Sequence, residues 1–478
     1  MKEDFVLKKY LEAAEAKGFN PKALTLGETL DLAKELGVSV SDVVLAEARH
    51  RSGLSIDDVF DSIERAFQHN LNALEIGLTS GSSFLFGRCA SELAENDFAR
   101  RLFDDRFINR AVVYTLAAQI GNHTAGLEPC AGTGDSCPYT GLYKAMKEIE
   151  QREKVLSATA VMLKVGTLFR SGKTTTGCNM EGFGAGSAAV AAALTELWGG
   201  GPAEMGRSVT LALSPTIAVP CTPRVMVAGL CATHIGTAVL NGALAAKLSL
   251  LTSIPVNVPV DVMIALASAV HPISAKYVVP TVINYLQPFF RKNPEVERYV
   301  VAEIKEKERE AMTRMLAEAL EEARKMAARA NCIISPFGEA VVGGSSQAVG
   351  SPTNAARIAH ELMSGEVKKV KIELYPELFA RRGINIPGIL MGAVYGSSTG
   401  DSRMYREVMG KVLAEEIDVE ILEVEEAQLQ RITIEATGNS SMVESLNRGG
   451  GRLAIKDALP SREAAIAAAR KLGIVVVD

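Results

Sequence analysis

The residues best suited to chemistry in this chain are its cysteines. The 478-residue sequence holds seven, and five of them fall between residues 130 and 231. Cys130 and Cys137 lie in Glu128-Pro-Cys-Ala-Gly-Thr-Gly-Asp-Ser-Cys-Pro138. Cys178 lies in Thr176-Gly-Cys-Asn-Met-Glu181, Cys221 in Val219-Pro-Cys-Thr-Pro-Arg224, and Cys231 just beyond. Thiolates are soft ligands suited to zinc or to iron–sulfur clusters. Glycine-rich backbone lets them approach a shared centre and leaves N–H groups for sulfide or carboxylate. The spacing matches neither a zinc-finger nor a ferredoxin pattern, so for each cysteine taken alone a buried free thiol remains the competing reading. Cys89 and Cys332 read as structural thiols of that kind.

Few acid–base groups accompany them. His123, in Gly121-Asn-His-Thr124, is read as a loop residue just before the first cysteine segment and is the candidate base. Glu128 and Glu181 flank cysteines, and a carboxylate in so apolar a stretch is a usable acid or base if its pKa is raised. Lys173 and Arg224 are candidate anchors for a substrate carboxylate. His234 reads as a satisfied core histidine. The string Gly172-Lys-Thr-Thr175 lacks the upstream glycine of a phosphate loop and is set aside.

The elements that position these groups follow from the pattern along the chain. Residues 1–73 read as a helical lead-in, with Leu26–Leu36 and Ile56–Ala66 at helical spacing and Ser39 or Ser41 as a cap. Residues 74–294 form a Gly-, Ala- and Ser-rich, all-α middle domain. Its apolar runs include Ala185–Leu197 and Met226–Leu251, the latter read as a helix buried on all sides rather than a membrane span, with no second run of that kind noted. Residues 295–330 read as a charged connecting helix. Residues 331–478 form an α/β domain, with Val367–Leu374 and Gln430–Ala436 alternating as strands do. The fold class is therefore multidomain, a mainly α-helical catalytic domain followed by a C-terminal α/β domain.

Composition narrows the function. Lys+Arg 51 against Asp+Glu 56 gives a formal net charge of −5 without a basic stripe, so nucleic acid is not an expected partner. The N-terminus is charged from Lys2 and has no apolar leader, which points to a cytoplasmic, reducing setting where clustered cysteines are metal ligands or reactive thiols rather than disulfides.

At the cysteine segments the chain resembles the iron–sulfur-dependent L-serine dehydratases. Pro129-Cys-Ala-Gly-Thr133, followed by Pro138 and Gly141, is similar to that family's Pro-Thr-Ala-Gly-Ser loop. Gly177-Cys-Asn-Met-Glu181 is similar to its Gly-Cys-Gln-Ala-Glu segment, and Val219-Pro-Cys-x-x-Arg224 to its Val-Pro-Cys-x-x-Arg segment, in the same order. Gly343-Gly-Ser-Ser346, Val370-Lys-Ile-Glu-Leu-Tyr375 and Gly449-Gly-Gly-Arg452 resemble the family's β portion, here placed after the α-like part. The likeness runs from about Gly37 to Asp457. It implies a [4Fe–4S] cluster without pyridoxal phosphate, held by Cys178, Cys221 and a third cysteine. It further implies an open iron that acts as a Lewis acid on a small amino or hydroxy acid while a protein base takes the α-proton. Gly132, Thr133, Asn179, Arg224, Ser345 and Ser346 are the implied substrate contacts, His123 and Glu181 the catalytic candidates, and a homo-oligomer the implied assembly.

The chain departs from the family in two places. The family's third cluster cysteine falls where this sequence reads Leu213-Ser214-Pro215, so Cys130 is the first candidate for the third ligand, with Cys137 and Cys231 as rivals. Both histidines of the β portion are absent, where the chain reads Ser345-Ser-Gln-Ala-Val349 and Gly383-Ile-Asn-Ile-Pro387. This favours a divergent member acting on another hydroxy or thiol acid. The alternatives are a zinc or thiol enzyme, or a cysteine-desulfidase-like lyase, on the same scaffold, and a non-catalytic binding or assembly subunit.

Overall fold

A computed structural model describes residues 2–125, 136–169, 183–219, 227–330, 332–334, 341–342 and 346–477. The chain divides into two compact units, Met1–Ala319 and Leu320–Asp478.

The first unit is helical: α1 (Lys2–Ala16), α2 (Leu26–Leu36), α3 (Val40–Ser52), α4 (Ile56–Thr79), α5 (Cys89–Phe98), α6 (Arg106–Ala125), α7 (Ser136–Lys147), α8 (Arg152–Leu168), α9 (Ala185–Leu197), α10 (Pro202–Leu213), α11 (Leu230–Leu251), α12 (Val260–Leu286), α13 (Pro294–Glu297) and most of α14 (Ala302–Arg329). The lead-in and the middle segment share one core, running from Tyr10 through Val113, Leu142 and Val161 to Ala267. Local chemistry sets the early boundaries. Gly37 at φ 64° ends α2, and Ser39 starts α3 by accepting a hydrogen bond from the Asp42 N–H while the Asp42 side chain returns to the Ser39 backbone.

Small residues let the central helices approach closely. A Cβ on Gly121 of α6 would stand 1.6 Å from the Ala73 carbonyl oxygen of α4, and one on Gly77 of α4 would stand 1.9 Å from that of Ala117. Backbone therefore lies directly on backbone at this crossing, which only glycine permits.

Two expectations about the apolar helices are corrected. α11 is not buried on all sides, since Leu244 and Leu251 face solvent. A second long apolar helix also exists, because α12 continues through Pro272 and Pro280. Those prolines, with His271 and Lys276, break up the run in the sequence. Both helices are long and apolar enough to cross a membrane, but 56% of the α11 window is buried within the protein against 17% for α12. Much of α12 thus presents apolar side chains outward.

The second unit holds α15 (Ser346–Leu362), β1 (Val367–Leu374), α16 (Pro376–Ala380), α17 (Arg382–Tyr395), α18 (Ser402–Ala414), β2 (Asp418–Glu423), β3 (Leu429–Ala436), β4 (Ser440–Asn447), β5 (Leu453–Leu459) and α19 (Arg462–Lys471). Its sheet has the order β2-β1-β3-β4-β5, with β1 and β2 parallel and the remaining pairs antiparallel. Val370, Ile372 and Leu374 of β1, with Ile432 and Ile434 of β3, point into a core shared with α15, α17 and α19. Lys371, Glu373, Arg431 and Glu444 alternate onto the other face, where Arg431 bonds both carboxylates. The fold class read from the sequence is the observed one.

Candidate functional site

His123 lies in the last turn of α6, not in a loop. Gly121, read as a loop signal, is instead required by the contact with α4. That crossing fixes the end of α6, and the turn after α4 is tied to it: Ser82 N donates to Thr124 Oγ1 at 3.0 Å, and Thr124 Oγ1 donates to Ser82 O at 3.1 Å. Ser83 and Gly87 exchange both backbone hydrogen bonds at 2.9 Å, closing a tight turn beside the helix end.

Ser83 Oγ is 2.7 Å from His123 Nδ1. It also accepts the backbone N–H groups of Leu85 at 3.0 Å and Phe86 at 3.1 Å. A hydroxyl has two acceptor positions, so with both filled its own hydrogen is left for Nδ1, and the ring proton of neutral His123 sits on Nε2. The Gln119 amide lies 2.7 Å from Nε2 and 3.1 Å from Cys137 Sγ. The structure sets Gln119 Nε2 against His123 Nε2 and Gln119 Oε1 as acceptor of the Cys137 thiol, so a proton on His123 Nε2 requires the amide turned end for end. Asn122 Nδ2 approaches the sulfur at 3.5 Å. The Phe86 ring packs 5.6 Å from the imidazole. One side of His123 is open to solvent. The packed helix ends around it nevertheless disfavour its charged form and hold its pKa below the ordinary histidine value.

The described residues that flank the three cysteine segments fall in two groups, one at a cleft by the first turns of α11 and one at the Ser83 turn. Phe183, just after the Cys178 segment, packs its ring 5.3 Å from that of His234 on α11. Phe183 and Val219, which precedes the Cys221 segment, line one cleft with Pro215, Thr233 and His234. Gly229, which follows the Cys221 segment, donates its N–H to Leu85 O at 2.8 Å, beside the Ser83 turn. His123 and Thr124 lead into the Cys130 segment.

Cys130, Cys178, Cys221, Glu181, Gly132, Thr133, Asn179, Arg224 and Ser345 lie outside the described residues, as do Glu128 and Lys173. Ser346 opens α15. The rival ligands are both placed. Cys137 is buried in the first turn of α7 and bonded as above, so it belongs to a helix rather than to a Gly-rich loop, and Cys231 is buried in α11. Among the described residues no three His, Cys, Asp or Glu side chains are grouped to hold a metal ion. His234 is buried, as expected of a core histidine. Cys89 is half-buried, and burial pushes its thiol pKa up, as fits a structural thiol. Cys332 is exposed, which corrects its reading as a buried one. Reading the sequence missed Ser83 and Gln119. Gln119 was accessible, being four residues before His123 on one helix face, whereas Ser83 is forty residues away and carries no signal.

The model of the serine dehydratase alpha chain family matches residues 35–278, just over half of the chain. The match lies wholly within the helical unit and takes in His123 and all three cysteine segments. No curated protein matches the chain. A match of this extent also supports a serine dehydratase-like lyase of amino acid metabolism. The chain belongs to the serine dehydratase alpha chain family.

Proposed function

We propose that the chain is a cytoplasmic iron–sulfur lyase that eliminates water or another β-substituent from a small amino or hydroxy acid. The observation that carries this reading is that His123, which leads into the Cys130 segment, and Gly229, which follows the Cys221 segment, both bond the turn at Ser83–Leu85. Three thiolates are the donor chemistry such a cofactor takes, and Cys178 and Cys221 with Cys130 as third ligand would hold the cluster, Cys137 and Cys231 being the rivals for the third place. When bound, the cluster supplies a Lewis-acid iron for the substrate's leaving group.

The acid–base work falls to this chain's own residues. Ser83 is the proposed relay: its Oγ takes the substrate α-proton as its own hydrogen passes to His123 Nδ1. The Leu85 and Phe86 N–H groups stabilise charge building on Oγ, and the Gln119 amide, turned end for end to present its oxygen, would hold the Nε2 proton of the imidazolium that forms. Arg224 is the proposed anchor for the substrate carboxylate.

Association with a second copy is part of the proposal. Val262, Leu266, Ile273 and Tyr277 stand at i, i+4, i+11 and i+15 along α12, all exposed. They form one stripe of roughly 400 Å² of apolar surface, half of what each partner contributes to a standard dimer interface.

The test is anaerobic purification with iron and sulfide analysis of the wild type beside Cys178→Ala, followed by turnover of β-substituted amino and hydroxy acids. The expected result is a brown wild type, a Cys178→Ala variant depleted of iron, and a His123→Asn variant that keeps its cluster but turns over at least a hundredfold more slowly. A colourless, iron-free wild type after anaerobic reconstitution overturns the reading.

A further inference from the structure

The helical unit contains a cavity of about 950 Å³ between the start of α2, α3, α4, the end of α8 and the start of α12. It is open to solvent, and its volume lies within the range of small-molecule sites. Its walls are mainly aliphatic, including Leu26, Leu45, Val59, Ile63 and Ile264.

The polar groups on the walls divide into occupied and unoccupied. Glu47 accepts Leu24 N–H at 3.2 Å on one oxygen and the Lys164 ammonium at 2.7 Å on the other. Lys164, nine-tenths buried, also donates to Leu24 O at 2.7 Å, which leaves one of its three hydrogens. Asp261 accepts Thr25 Oγ1 at 2.7 Å and Gly27 N at 2.9 Å. Both wall carboxylates are therefore hydrogen-bonded, Glu47 to the Lys164 cation and Asp261 to two neutral donors. Arg51 is exposed in the last turn of α3 and lines the same cavity. No carboxylate is paired with it among the described residues, so Arg51 is the wall cation left free to meet an anionic head, although the formal charges of Arg51, Lys164, Glu47 and Asp261 balance.

We infer that this cavity binds a small molecule with an apolar body and one carboxylate, its tail among the aliphatic walls and its head at Arg51. None of the described residues placed in the elimination chemistry lines it, and the ligand is inferred to be an effector.

The test uses the full chain and anilinonaphthalene sulfonate, an apolar-bodied anion, displaced by hexanoate, octanoate and decanoate. The expected result is one saturable site whose affinity rises about three- to fourfold per methylene, as burial of each CH2 predicts. Arg51→Gln, on the surface, should weaken decanoate binding about tenfold without lowering the melting temperature. Ala48→Phe, which fills the cavity from α3, should abolish displacement. Absence of saturable binding to the wild type overturns the inference. So does binding that neither substitution changes, which would place the ligand elsewhere, such as on the apolar stripe of α12. Loss of turnover in the cysteine or histidine variants leaves these outcomes untouched, so the two readings fail separately.

Discussion

Replacing Gly121 by alanine tests the framework that holds His123. The new Cβ would start 1.6 Å from the Ala73 carbonyl oxygen, whereas ordinary carbon–oxygen contacts begin near ~3.4 Å. Neither atom belongs to a flexible side chain, so α4 and α6 must separate by roughly 1.5 Å or more at this point. Overpacking of this kind costs about 2–4 kcal/mol, against a helix-propensity gain of about 0.8 kcal/mol for alanine over glycine. The net loss of roughly 1–3 kcal/mol should lower the melting temperature by about 1.5–5 °C in a unit of this size. His123 is two residues further on, and a displacement of about 1 Å at a reacting group costs on the order of a hundredfold in rate. Gly236→Ala is the control. It too is a helical glycine, in α11, but its Cβ would meet only Val112 Cγ1 at 3.5 Å, an ordinary contact. That variant should melt at the wild-type temperature or a few degrees above it. The measurement is differential scanning calorimetry of both variants beside a turnover assay. Equal melting temperatures for Gly121→Ala and the wild type would refute the backbone-on-backbone crossing.

Three further outcomes follow from the same geometry. Lys164→Met leaves Glu47 buried without its partner and should cost about 3–5 kcal/mol. Adding Glu47→Leu should recover only part of this in denaturant melts, because Leu24 N–H and C=O then both lose a partner. The pKa of His123 is lowered by burial, so its proton-accepting form persists as pH falls, and the acid limb of the rate profile should lie below the ordinary value of about 6.5. A limb at or above that value would contradict the assignment. Ile273→Glu with Tyr277→Glu should shift light-scattering mass after gel filtration to that of one chain, and an unchanged mass would place the interface elsewhere.

What the sequence reveals depends on how local each signal is. Ala185–Leu197 and Val367–Leu374 were legible to the residue, one from an unbroken apolar run and the other from strict alternation. A serine cap was legible only as Ser39 or Ser41, and the structure uses Ser39, whose partner Asp42 is three residues away. α12 was not, since Pro272 and Pro280 read as stops while the surrounding helix tolerates them. Gly121 was misread for a related reason. Glycine marks a loop from local propensity, but here it answers to a carbonyl on a helix about fifty residues earlier. Ser83 and the cavity beside Lys164 depend on contacts between distant elements, and periodicity records none of these.

The absent histidines of the β-like portion sharpen the assignment of the proton carrier. Where the family reads Gly-His, this chain reads Gly383-Ile384 in the first turn of α17, and Ile384 is 43% exposed. Its carbonyl accepts the Tyr405 hydroxyl at 2.9 Å, a backbone bond that any side chain at this position preserves. A histidine fits there at little cost, since surface substitutions away from special features stay within about 0.5 kcal/mol. Ile384→His therefore separates two histories without disturbing the fold. If the chain had merely lost a proton carrier and worked weakly without it, restoring the imidazole should raise kcat by the factor of about 10²–10⁴ that general acid–base catalysis supplies. If Ser83 and His123 took over that work, Ile384→His should leave kcat within about twofold and should not rescue His123→Asn. A large gain in the single variant, or rescue in the double, would return the acid–base role to the C-terminal unit and reduce the Ser83–His123 contact to a clasp on the end of α6.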